Sequence, residues 1–80
     1  MTMIYQIRGY AKTLDGDVVD EMHWHLGDGR WRGDRDDGEW TTTTDERLAR
    51  QQMERAKADA GELSVSLVEW AEDYDDPEVD

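Results

Sequence analysis

Residues 43–60, TTDERLARQQMERAKADA, decide the fold, because they form the one convincing amphipathic helix in the chain. Leu48, Ala49, Met53, Ala56 and Ala60 recur at spacings of three, four or seven and make a narrow apolar stripe suited to lying on a sheet. Thr43 and Glu46 stand at capping-box spacing, which predicts a start at Thr43, and Gly61 supplies the stop. Glu46 and Arg50 lie one turn apart on the exposed face, a pairing worth only about 0.2–0.5 kcal/mol. Residues 45–60 contain four acids (Asp45, Glu46, Glu54, Asp59) and four bases (Arg47, Arg50, Arg55, Lys57). The helix is therefore neutral, and the formal charge of −12 belongs to the rest of the chain.

Upstream of the helix, Met3–Lys12 reads as a strand with Met3, Tyr5, Ile7, Gly9 and Ala11 on one face and Gln6, Arg8, Tyr10 and Lys12 on the other. Asp15-Gly16 is a hairpin signal, since glycine takes the positive backbone angles that a tight turn demands. A second strand is expected over residues 18–26, its core face carrying Val18, Met22, Trp24 and Leu26 and its opposite face Val19, Glu21, His23 and His25. Residues 27–38 hold four glycines and predict a turn with a short third strand around Arg30, Trp31 and Arg32, which Trp40 to Thr42 extend or follow with another. Downstream, Leu63, Val65 and Leu67 alternate with Ser64 and Ser66, a strand pattern that reaches Trp70. The expected fold is α+β: a small antiparallel sheet of three to four strands with one helix on one face, in the order β-β-β-α-β. Residues 1–72 form this single domain, and residues 73–80 an acidic, flexible tail.

Composition excludes several classes of function. With 21 acids against nine bases the chain repels nucleic acid and anionic lipid, so neither direct DNA or RNA binding nor membrane binding is expected. No apolar run approaches the roughly 18 residues that a bilayer-spanning helix needs, and the first residues carry no basic leader. The absence of cysteine fits a cytoplasmic protein without a disulfide framework or thiolate cluster. Hydrophobic residues at 36% and four tryptophans argue for a folded chain.

Catalysis has little to work with. Ser64 and Ser66 point outward without a placed base, and carboxylates alone do not make a general acid, so no enzymatic activity and no cofactor are expected. His23 and His25, about 6.6 Å apart along a strand, could with Glu21 begin a metal site, but two imidazoles and one carboxylate are an incomplete set; they read as solvated side chains on an exposed face. Asp28, Asp34, Asp36 and Asp37 argue against reading the glycines of residues 27–38 as a phosphate loop. Tyr10, Trp31, Trp40, Trp70 and Tyr74 are expected mainly to complete the core or its rim, with one or two left as contact anchors.

What remains is the acidity itself. Asp34, Asp36, Asp37 and Glu39 form one acidic cluster, and Glu72, Asp73, Asp75 and Asp76 a second, within residues 69–80 that hold seven acids and no base. Charge of this density costs folding stability through self-repulsion, which solubility alone would not require. The expected partner is a basic surface that ordinarily holds a phosphate backbone, with no oligomeric state implied. In size, acidity, lack of cysteine and a small sheet with one helix, and through Asp15-Gly16-Asp17, Gly33-Asp34-Arg35-Asp36-Asp37 and Asp73-Tyr74-Asp75-Asp76, the chain resembles phage-encoded anti-CRISPR proteins, the small inhibitors of type I CRISPR surveillance complexes. That resemblance implies a DNA-mimicking inhibitor acting in the host cytoplasm. The alternative is an accessory or assembly protein that binds through its sheet edge and aromatic side chains.

Overall fold

The computed structural model describes residues 2–33 and 40–72. Its centre is β1 (Met3–Lys12), which is hydrogen-bonded along both edges. One edge takes β5 (Ser64–Ala71) in an antiparallel register that runs without a shift from Met3↔Ala71 to Tyr10↔Ser64. The other edge is shared: β2 (Val18–His25) pairs with residues 8–12, and the two-residue β4 (Thr42–Thr43) pairs with Tyr5 and Gln6. β3 (Arg30–Gly33) lies outside β2, with Trp24 opposite Trp31. The α+β architecture is thus an antiparallel sheet with the single helix α1 (Glu46–Ala58) on one face.

The alternation along β1 decides which side chains meet the helix. Ile7 lies under α1 and, with Trp24 and Ala56, forms a core against which Leu26, Trp31, Met53, Val65 and Leu67 pack. Trp24 is 1% exposed and meets Trp31 edge to face, with ring centroids 5.2 Å apart, and its indole N–H donates to Gln52 Oε1 at 3.1 Å. Gly9 makes room for this pair: a Cβ there would lie 2.9 Å from Cη2 and Cζ3 of Trp31, closer than packed carbons tolerate.

The helix begins later than its capping-box spacing predicts. Thr43 is not the N-cap, because its backbone is already committed to the β4 pairing with Tyr5. Asp45 caps instead, its Oδ1 accepting from Leu48 N at 3.1 Å, while Thr43 Oγ1 accepts from Asp45 N at 3.1 Å. Asp45→Ala is expected to cost about 1 kcal/mol, the usual value of a lost N-cap, read as a lowered thermal midpoint; Thr43→Val, which keeps the strand, should cost less. The helical stretch ends at Ala58, short of residue 60, with Asp59 as C-cap and Gly61 following at φ 60°. The Glu46–Arg50 pair forms at 2.8 Å, and Glu46 also accepts from the Tyr5 hydroxyl at 3.4 Å, tying the first turn to β1.

The hairpin joining β1 to β2 turns as expected at Gly16, whose φ is 90°. Its apolar residues depart from the alternation. Val18 does not join the core: it is 55% exposed, beside Val19 at 65%, because the register shifts between Ala11 and Lys12 and the hairpin end lies away from the helix.

Candidate functional site

Of the acids singled out in the sequence, Asp34, Asp36, Asp37, Glu39, Asp73, Asp75 and Asp76 lie outside the described residues, as does Tyr74. Their points of attachment are defined. β3 ends at Gly33 opposite Met22, and the chain is described again at Trp40, whose carbonyl accepts from Leu26 N at 2.7 Å. The residues that flank the acidic segment are therefore held by β2 at Gly33 and, for Trp40, just beyond its end at Leu26. Glu72 is exposed at the end of β5, where its N–H donates to the Thr2 carbonyl at 2.9 Å.

The described acids add a surface of their own. Asp15, Asp17 and Asp20 are exposed on the β1–β2 hairpin, interleaved with the exposed Leu14, Val18 and Val19. Glu72 sits at the opposite end of β1, beside Thr2, so these carboxylates do not form one patch with it. Trp40 is 72% exposed and is the large aromatic the structure offers to solvent among the described residues. Tyr10, Trp31 and Trp70 are half-buried, in keeping with the core-or-rim role expected of them.

The described bases outside the helix are Arg8, Lys12, Arg30 and Arg32, carried on β1 and β3. Strand register places Arg8, His23 and Arg32 side by side across β1, β2 and β3, with Arg30 opposite His25. This face, away from the helix, is not the solvated surface that alternation suggests: Arg8 is 0% and His25 8% exposed. The correction has a structural cause. Neighbouring strands flank these positions, so an outward-facing alternation along β2 still places His23 and His25 among long side chains.

The hydrogen bonds of the face are directional. Arg8 Nε donates to Gln6 Oε1 at 2.6 Å, which turns the Gln6 amide nitrogen toward Thr41 Oγ1 at 3.0 Å and His23 Nδ1 at 3.3 Å. His23 Nε2 lies 2.6 Å from Glu21 Oε2, so the imidazole donates to the carboxylate and accepts from Gln6. Arg8 also stacks on Trp70, 5.6 Å from the ring centroid. Asp28 accepts from Arg32 Nη2 at 2.7 Å, and its backbone N–H donates to His25 Nδ1 at 2.9 Å. The Arg32 hydrogen bond, helped by nearby His25, holds the Asp28 carboxyl below its ordinary value. Burial, with Glu46 adding to it, pushes the Tyr5 phenol up.

Both ring nitrogens of His23 are engaged within this network, and among the described residues no three His, Cys, Asp or Glu side chains converge as a metal site. What the face can do is fix the sheet, by tying β1, β2 and β3 together through Gln6, Arg8, His23 and Arg32. Sequence inspection overlooked Gln6, Arg8 and Asp28 here. The only local signal was an arginine in the middle of an otherwise uncharged stretch of strand.

These features define the class as a small α+β domain with a central strand paired on both edges. No protein-family model, curated protein or solved structure shows a significant match to the chain. No helix among the described residues is long and apolar enough to cross a membrane.

Proposed function

We propose that the protein is a non-enzymatic inhibitor that offers carboxylates in place of nucleic-acid phosphates and blocks the basic DNA-binding surface of a CRISPR effector complex or another nucleic-acid-binding protein. The observation that supports this most is the separation of charge in the described residues. Asp15, Asp17 and Asp20 are exposed on the β1–β2 hairpin against one exposed base there, Lys12; Arg8, at 0% exposure, and the half-buried Arg32 are drawn into the face of the sheet, and Arg30 stays exposed on β3. The acid-rich segments 34–39 and 73–80 extend the same character and are the contact regions of this reading, with Asp34, Asp36, Asp37, Glu39, Glu72, Asp73, Asp75 and Asp76 as its residues.

Charge reversal tests it. Asp34→Lys, Asp36→Lys and Asp37→Lys together are expected to weaken target binding by roughly 10- to 100-fold while leaving the fold intact, because like charges then face each other. Wild-type affinity should fall steeply with ionic strength and compete with DNA. Inhibition that survives the triple reversal in low salt removes the loop from the interface.

A second reading is favoured by one observation, an apolar groove of about 310 Å³ lined by Leu26, Gly27, Trp40, Thr42, Thr43 and Leu48. On that reading the protein is an accessory factor that seats an apolar side chain beside Trp40. Trp40→Ala would then abolish binding, and the affinity would be indifferent to salt.

A further inference from the structure

We infer that the Asp15-Gly16 step, in the turn between β1 and β2, is a site of spontaneous covalent modification, where aspartate converts to isoaspartate through a succinimide. The reaction needs a carboxyl open to attack, a following residue with no side chain to obstruct the ring, and a backbone that can swing its amide onto that carboxyl. Asp15 and Gly16 are both exposed. The Asp15 carboxylate makes no hydrogen bond or ion pair among the described residues, and a Cβ at Gly16 would meet nothing within 4 Å. Restraint on the amide is slight: Gly16 N–H donates to the Thr13 carbonyl at 3.0 Å. A single exposed turn bond of this kind opens locally while the core stays folded.

The chemistry balances with water alone. The Gly16 nitrogen attacks Cγ of the neutral Asp15 side chain; the N–Cγ bond forms, the Cγ–OH bond breaks, and the hydroxyl leaves with the amide proton as water. Water then adds back to the five-membered ring. Opening at Cγ restores aspartate, whereas opening at the main-chain carbonyl leaves Gly16 joined to residue 15 through the side-chain methylene, with one more carbon in the backbone. Net charge is conserved but the turn is longer, so the 2.8 Å bond from Thr13 N–H to the Asp17 carbonyl that closes it is lost.

The fold separates this step from Asp28-Gly29, which has the same two residues. Gly29 N–H donates to the His25 carbonyl at 2.9 Å, a restraint like that at Gly16. The side chain differs. Asp28 Oδ2 accepts from Arg32 Nη2 at 2.7 Å, and the carboxyl is held below its ordinary value, so it is seldom the neutral acid that ring closure requires. Asp28 N–H is also bonded to His25 Nδ1 at 2.9 Å, and Arg55 Nη2 lies 3.2 Å from where a Cβ on Gly29 would stand. A third such step, Asp37-Gly38, lies outside the described residues.

The chain has no asparagine, so isoaspartate in it can come only from aspartate. The full chain is incubated at neutral pH and body temperature for several weeks, then cut with trypsin, which frees residues 13–30 as one peptide that holds both steps. Electron-transfer fragmentation locates the isoaspartate, and the same peptide, excised beforehand and incubated alongside, gives the rates without the fold. Isoaspartate is expected at residue 15 several-fold ahead of residue 28 in the folded chain, and at comparable rates in the peptide. Asp15→Glu, whose closure would need a six-membered ring, should abolish the signal at residue 15. Arg32→Gln should bring residue 28 up toward residue 15 with the circular dichroism spectrum unchanged. Equal rates in the folded chain overturn the inference, as does residue 28 leading, no isoaspartate at residue 15 once the peptide has formed it, or the same preference in the peptide alone.

Discussion

Replacing Trp24 by alanine is expected to cost about 3–5 kcal/mol, the range for removing a fully buried aromatic side chain. Trp24 is the largest of the fully buried side chains, and its loss takes away the edge-to-face contact with Trp31 and the bond to Gln52. A chain of 80 residues has roughly 4–12 kcal/mol of stability in total, so the variant should lie near the edge of unfolding at 37 °C. Its thermal midpoint should fall by roughly 15–30 °C. Urea titration followed by far-ultraviolet circular dichroism measures this without relying on tryptophan fluorescence. Trp24→Phe keeps most of the ring volume but strands the Gln52 carbonyl and should cost about 1–2 kcal/mol. If Trp24→Ala changed the urea midpoint by no more than Trp24→Phe does, the packing of Ile7, Trp24 and Ala56 would not be the stabilising core.

The second large effect is expected at Arg8. Arg8→Ala removes a long side chain of 0% exposure from the central strand, leaves Gln6 Oε1 without its donor and uncovers Trp70, for a combined loss of about 3 kcal/mol. Arg8→Met preserves the stem volume and should cost about 1–2 kcal/mol, chiefly through the unsatisfied Gln6 oxygen. Gln6→Leu in the Arg8→Met background should therefore cost less than Gln6→Leu alone, with a coupling of about 0.5–3 kcal/mol between the two sites. A cycle that is strictly additive would mean that the Arg8–Gln6 bond contributes nothing. Arg8→Lys is no conservative change here, because an ammonium cannot both stack on Trp70 and direct an N–H along the strand to Gln6.

The two predictions fall on opposite faces of the same sheet, Trp24 on β2 and Arg8 on β1, and they differ in how visible they are in the sequence. Ile7 and Trp24 stand at the apolar positions of alternations broken only at Ile4 and Asp20, so their burial follows from the period of a strand. Arg8 and His25 stand at the polar positions of those strands, where the same period assigns them to solvent. The acidic cluster at residues 34–39 is plain from composition, but its relation to the hairpin acids and to Glu72 depends on where Gly33, Trp40 and Ala71 are held. Thr43 shows the competition most directly: capping-box spacing is a local signal, and a strand partner nearly 40 residues away in sequence, Tyr5, overrides it.

Local chemistry by itself determined the amphipathic stripe of α1, the strand character of Met3–Lys12 and Ser64–Ala71, the turn at Gly16 and the concentration of negative charge outside the helix. These follow from periodicity, from glycine's freedom at positive φ and from counting charges, none of which needs a distant partner. Tertiary structure alone decided that β1 is the central strand, that Arg8 is buried beside Gln6 and Trp70, that Val18 faces solvent, and that β5 keeps an open edge among the described residues. Each of these depends on which strand lies beside which. A side chain on a central strand is covered from both flanks whatever its polarity, whereas one at a hairpin end or on an outer edge has neighbours on one side only.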